Sequence, residues 1–139
     1  THERTQRGTP IHLVGRVVNG VGESRYSRLL VPGAAAGYVV TVGRTLILTR
    51  VVIRCTVAAG VWHLISADAV IADNTLVAPT GEIAEDSVAD QLGNAFIVQT
   101  ANAIVTAEIY ADIAASRGVG MLGFNGSANF FLNAYGVEV

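Results

Sequence analysis

His2, His12, His63, the single Cys55 and the string Gly118-Val119-Gly120-Met121-Leu122-Gly123 are the places where reaction chemistry would have to start in this chain. A metal centre needs imidazole, thiolate or carboxylate ligands at short, fixed separations. None of the three histidines has an H-x-H or H-x-x-x-E companion. A cysteine or serine nucleophile needs a base within reach and commonly sits on an elbow such as G-x-S-x-G. The sequence has no such elbow, and a Cys55/His pair is an arrangement that only the fold can bring together. G-x-G-x-x-G binds a dinucleotide where a helix follows it and a later strand carries an acidic residue. Here Asn125-Gly126 turns the chain, and only 16 residues remain after Gly123. These patterns predict no catalytic residue, no metal and no cofactor. Trp62, Phe96, Phe124, Phe130 and Phe131 read as core filling rather than as the lining of a ligand cavity. Asn125-Gly126-Ser127 matches a glycosylation sequon, but nothing in the sequence shows secretion.

Charge is the more informative signal. All nine basic residues are arginine. Residues 1–55 hold eight of them against Glu3 and Glu23, a net of +6, whereas residues 56–139 hold Arg117 against nine carboxylates, a net of −8. The whole chain is close to neutral at −2 and has no clustered basic run, so direct nucleic-acid binding is not expected. The two halves therefore face each other, within one chain or between chains, unless the lack of lysine reflects genome composition alone. Arginine suits such contacts because its planar fork pairs with carboxylates and tolerates partial burial.

The elements that position these charges are strands. In 39–57, Val51, Ile53, Cys55 and Val57 share one face and Arg50, Val52, Arg54 and Thr56 the other. Leu46 and Leu48 have the opposite parity, so the apolar face slips by one near Thr49 and Arg50, which predicts a bulge or a change of partner. In 103–113, Ala103, Val105, Ala107, Ile109, Ala111 and Ile113 alternate with Ile104, Thr106, Glu108, Tyr110 and Asp112, a half-buried strand. The expectation is that Arg50 and Arg54 meet Glu108 and Asp112, on the same chain or a neighbouring one. Further strands are expected at 11–18, 27–31, 61–66, 95–100, 119–124 and 128–139. Asn125-Gly126 signals a hairpin between the last two. Residues 80–93 form a short helix or a long acidic loop. Residues 1–10 read as an N-terminal arm, with Arg4 and Arg7 as contact residues, and 11–139 as a single β-sandwich domain.

A length of 139 residues suffices for one self-sufficient core. Hydrophobic residues make up 51% and charged residues 14%, against about 25% charged in ordinary soluble domains, so the surface is poor in charge and suited to contact with other protein. Every apolar run is broken well short of the roughly 18 residues of a spanning helix, so no membrane association is expected. The lone Cys55 closes no internal disulfide. About eight short strands with turns between them predict an all-β jelly-roll or Greek-key sandwich, with an up-and-down barrel as the alternative. The layout of "LLVPGAAAGYVVTVGRTLILTRVVIRCTV" followed by "AIVTAEIYADI" resembles the small jelly-roll proteins of tailed bacteriophage virions: capsid decoration (cement) proteins and tail-fibre or baseplate modules. That resemblance implies a non-enzymatic homotrimer that binds and stabilises the capsid shell, with the arm gripping the major capsid protein or a neighbour. The alternative it leaves is a tail or carbohydrate/receptor-binding module.

Overall fold

Alternating apolar residues need a second apolar surface to cover them, and in this chain two sheets cover each other. The computed structural model describes residues 7–76, 89–124 and 127–139, with backbone alone over 89–95. Within them lie the strands β1 (Thr9–Val18), β2 (Arg25–Leu30), β3 (Leu46–Cys55), β4 (Gly60–Ala67), β5 (Thr75–Leu76), β6 (Ala89–Val98), β7 (Ile104–Ile113), β8 (Gly118–Gly123) and β9 (Asn129–Glu138). No helix occurs among the described residues.

All pairings are antiparallel, in the order β6-β4-β8-β2-β1-β9-β3-β7, with the two-residue β5 beside β2. Early strands pair with late ones: β1 with β9, β2 with β8, β3 with β7, β4 with β6. The chain is thus one long antiparallel hairpin rolled on itself, which is a jelly roll. One sheet is β1-β9-β3-β7 and the other β2-β8-β4-β6. A short ladder, Val14↔Leu30 and Gly15↔Leu29, joins them.

The core fills the space between the sheets. Leu13, Val17, Leu48, Val51, Ile53, Phe130 and Leu132 enter from one side, and Leu29, Trp62, Leu64 and Met121 from the other. Trp62 is buried and stacks on Phe96, with ring centroids 4.6 Å apart. A smaller cluster of Ile65, Ala67, Ile71 and Leu122 lies apart from it. The run Leu64–Ala67 is therefore buried without alternation.

The parity slip is a bulge. From Leu48 to Val51, β3 advances three residues while β9 advances two, Gly136 to Ala134, and β7 four, Ala111 to Ala107. The offset returns the apolar residues of β3 to the interior on both sides of Thr49, whose hydroxyl donates to the Tyr135 carbonyl at 3.3 Å.

Three expectations are corrected. The strands flanking Asn125-Gly126 do not form a hairpin: β8 pairs with β2 and β4, and β9 with β1 and β3. The connection crosses between sheets, and the two turn residues themselves lie outside the described ones. Within 80–93, Ala89–Gly93 belong to strand β6 rather than a helix, and 80–88 lie outside the described residues. The G-x-G-x-x-G string is a strand, as expected, the buried β8. Its glycines serve close packing: a Cβ on Gly120 would stand 2.5 Å from the Ser27 carbonyl oxygen. The first strand begins at Thr9, opposite Glu138, two residues inside the segment read as an arm.

The chain end is tied to the β2–β3 connection. Thr45 and Val139 exchange backbone hydrogen bonds of 2.8 and 2.9 Å. Tyr38 Oη donates to the Glu138 carboxylate, which also accepts from the Thr41 N–H at 3.2 Å. Burial, with the Glu138 hydrogen bond and charge, pushes the Tyr38 hydroxyl up to about 12. Burial pushes the Glu138 carboxyl up as well, but hydrogen bonds from Thr41 and Tyr38 and the Arg44 charge outweigh it and hold it below its ordinary value.

Two predictions follow from this packing. A Cβ on Gly136 would stand against the Ile47 carbonyl, so Gly136→Ala should weaken the β3–β9 ladder and lower stability by roughly 1–3 kcal/mol, read from the urea midpoint. Because the Tyr38 value is raised, its contribution is complete below its ordinary 10.0 and lost as pH rises through about 12. Because the Glu138 value is lowered, its contribution is present above its ordinary 4.5 and lost as pH falls below it. Melting temperatures across pH should drop on both sides, and Tyr38→Phe should remove the alkaline drop.

Candidate functional site on the outer sheet face

β9 sits between β1 and β3, so its outward side chains have neighbours on both sides. Register sets one row across the sheet as His12, Tyr135, Arg50 and Glu108, the next as Val14, Asn133, Val52 and Thr106, and a third as Arg16, Phe131, Arg54 and Ile104. Tyr135 thereby lies between His12 and Arg50, and Phe131 between Arg16 and Arg54. His12 stacks on Tyr135 with centroids 4.6 Å apart and rings within 3° of parallel, and its Nε2 lies 2.9 Å from Asn133 Oδ1. The Arg50 guanidinium lies 4.5 Å from the centre of the same tyrosine ring. Arg54 lies 4.4 Å from the centre of the Phe131 ring and donates from Nη1 to Asn102 Oδ1 at 3.0 Å. Arg16 stands opposite Phe131 from the other side.

The expected strand pairing is present, and its side-chain consequence is different. β3 and β7 are neighbours, and Arg50 is directly opposite Glu108, but no ion pair within 4.0 Å joins them. Arg54 is opposite Ile104, and Asp112 is opposite Ile47, so register separates that pair. A middle strand has two neighbours. On this face, ring faces on β9 hold the arginines, because their negative quadrupole attracts a guanidinium that stays partly hydrated. Arg7 is exposed just before β1, and Arg4 lies outside the described residues. The ion pairs among the described residues are elsewhere: Arg25–Glu23 and Arg117–Asp68 at 2.8 Å, and Arg28–Asp73 at 3.9 Å. Of these, Arg28–Asp73 links the basic half to the acidic half.

Phe131 is the residue that the sequence reading misplaced. It faces outward beside Arg54, whereas Phe130 is buried in the core. The signal was the matched spacing: Phe131 and Tyr135 on one strand, Arg50 and Arg54 on another, both four apart and on polar-face parity.

The cysteine and the histidines do not converge. Cys55 is buried between the sheets, where burial pushes its thiol up. His12 is on the outer face of β1. His63, on β4, packs edge-on against Phe124, and burial lowers its basicity. Among the described residues, no group of three or more His, Cys, Asp or Glu side chains is placed to hold a metal ion.

No family model, no curated protein and no solved structure matches this chain.

The stacked arrangement predicts that Arg54→Ala, which loses both the ring contact and the Asn102 hydrogen bond, lowers stability by about 1 kcal/mol in denaturant titration. Arg54→Lys should lose less, because it keeps the cation over Phe131.

Proposed function

We propose that this chain is a non-enzymatic virion building block, a jelly-roll capsid decoration protein that assembles with copies of itself as a homotrimer through the outer face of β1-β9-β3-β7. The observation that carries this reading is the Arg–aromatic face itself. Arginine and tyrosine are enriched, and lysine depleted, where protein meets protein. This chain has no lysine, and it gathers Arg16, Arg50, Arg54, Phe131 and Tyr135 on one sheet.

The same sheet ends in a matching partner surface. Among the described residues, β7 pairs only with β3 and so leaves an edge ten residues long. Its outward residues include Glu108, Asp112, the half-exposed Tyr110 and Ile104, which is 74% exposed. An edge strand of that length is a surface onto which another chain can add. A cationic centre beside an edge that carries Glu108 is complementary between copies. The low charge and the virion jelly-roll resemblance support the same reading.

Light scattering of the purified chain at low and high salt tests this proposal. A trimer mass that falls toward the monomer as salt screens the Arg and carboxylate contacts is expected. Arg50→Glu, which sets like charges opposite each other at Glu108, should give a monomer at low salt. A wild-type monomer at every salt concentration would refute the assembly reading.

A further inference from the structure

The ladder that joins the two sheets stops after two residue pairs, and its end is informative. Continuing the register of Val14↔Leu30 and Gly15↔Leu29 would set Arg16 directly opposite Arg28. Like charges facing each other across strands repel, and the strands part there. Farther along, Asn74 bridges the seam: the Val18 N–H donates to its Oδ1 at 2.7 Å, and its Nδ2 donates to the Val18 carbonyl at 2.9 Å. Between ladder and bridge a cleft of about 260 Å³ remains, with Arg16, Ser27, Arg28 and Asp73 around Val14 and Leu30.

The polar groups of this cleft are unevenly satisfied. Of the five N–H groups of a guanidinium, Arg28 uses one, Nη1 donating to the Ala35 carbonyl at 2.9 Å. Its Nη2 is 3.9 Å from Asp73 Oδ2, too long for a hydrogen bond. Its Nε–H is buried with no acceptor. Arg16 is exposed and has no hydrogen bond or ion pair among the described residues. Ser27 Oγ donates to Asp73 Oδ1 at 3.1 Å, which leaves Oδ2 to accept from something else.

We propose that this cleft binds a hydroxycarboxylate of monosaccharide size, a uronic acid. Two under-used guanidiniums call for an oxyanion, and arginine takes a carboxylate through two parallel N–H groups. Arg28 Nη2 and the exposed Arg16 fork have N–H groups left to give to the two carboxylate oxygens. Asp73 selects between oxyanions: it repels a phosphate dianion, and it accepts from a hydroxyl a few bonds away from a monoanionic carboxylate. Val14 and Leu30 provide an apolar wall for a sugar ring. The volume has room for a single ring and lies just below the usual range for ligand sites.

Isothermal titration of the full chain with glucuronate, glucose and inorganic phosphate tests the proposal. Saturable glucuronate binding is expected, with glucose and phosphate each at least tenfold weaker. Arg28→Lys should weaken glucuronate at least tenfold, because a point charge replaces the fork. Arg16→Gln, at an exposed position, gives the same readout if the lysine variant fails to fold. The absence of saturable glucuronate binding, or equal binding of glucose or phosphate, would overturn the assignment. Val14 and Arg16 also belong to the outer sheet face, so the two readings are separated through Arg28, which lies on β2 outside it: the mass of the Arg28→Lys protein at low salt reports on assembly and the titration on the cleft.

Discussion

The bulge between Leu48 and Arg50 is the constraint on which the rest of this jelly roll depends. A ten-residue strand with a strict two-residue period would place Leu46 and Leu48 on one face and Val51, Ile53 and Cys55 on the other. The offset at Thr49 lets both sets enter the core. It also decides which side of the sheet the arginines occupy and which β9 residues they meet. The core and the outer face are therefore fixed by one irregularity, and the hydroxyl of Thr49 caps the carbonyl beside it.

Given that register, β9 is the strand that organises the outer face. Its inward residues Phe130, Leu132 and Ala134 are buried, and its outward residues Phe131 and Tyr135 each lie between side chains of β1 and β3. Arginine tolerates this environment because it is weakly hydrated and stacks on rings, which a lysine ammonium does less well. The result is a face on which Arg50 and Arg54 sit over aromatic rings. Such a surface gives up less side-chain entropy and less hydration when another protein covers it, which is why it supports assembly better than scattered, freely hydrated charges would.

Much of this was legible in the sequence, and the limits have physical causes. The alternation of 103–113 and the parity slip at Thr49 are local properties of the chain, and both appear in the structure as β7 and as the bulge. Adjacency of β3 and β7 also followed from complementary polar faces. The partner of each arginine did not, because opposite charge is only one way to accommodate a guanidinium, and the rings of β9 were invisible until three strands were aligned. The Asn-Gly signal misled for a related reason: turn chemistry is local, but in a jelly roll the last strand pairs with the first, Ile11 with Gly136 and Leu13 with Ala134. The cleft between Arg16 and Arg28 lies deeper still, since it exists only where a ladder of known register ends. Arg4 and the acidic stretch 80–88 stay at the level of sequence.

The central claim is that the outer face of β1-β9-β3-β7 becomes covered when copies assemble, and alkylation of Val52→Cys tests it most directly. Val52 occupies the middle row, between Asn133 and Thr106, and the native Cys55 thiol is buried, so the introduced thiol is the one that reports. The account predicts fast alkylation in dilute protein at high salt and much slower alkylation in concentrated protein at low salt. Equal rates under both conditions, in protein whose mass shows that it has assembled, would place the contact elsewhere and contradict the account.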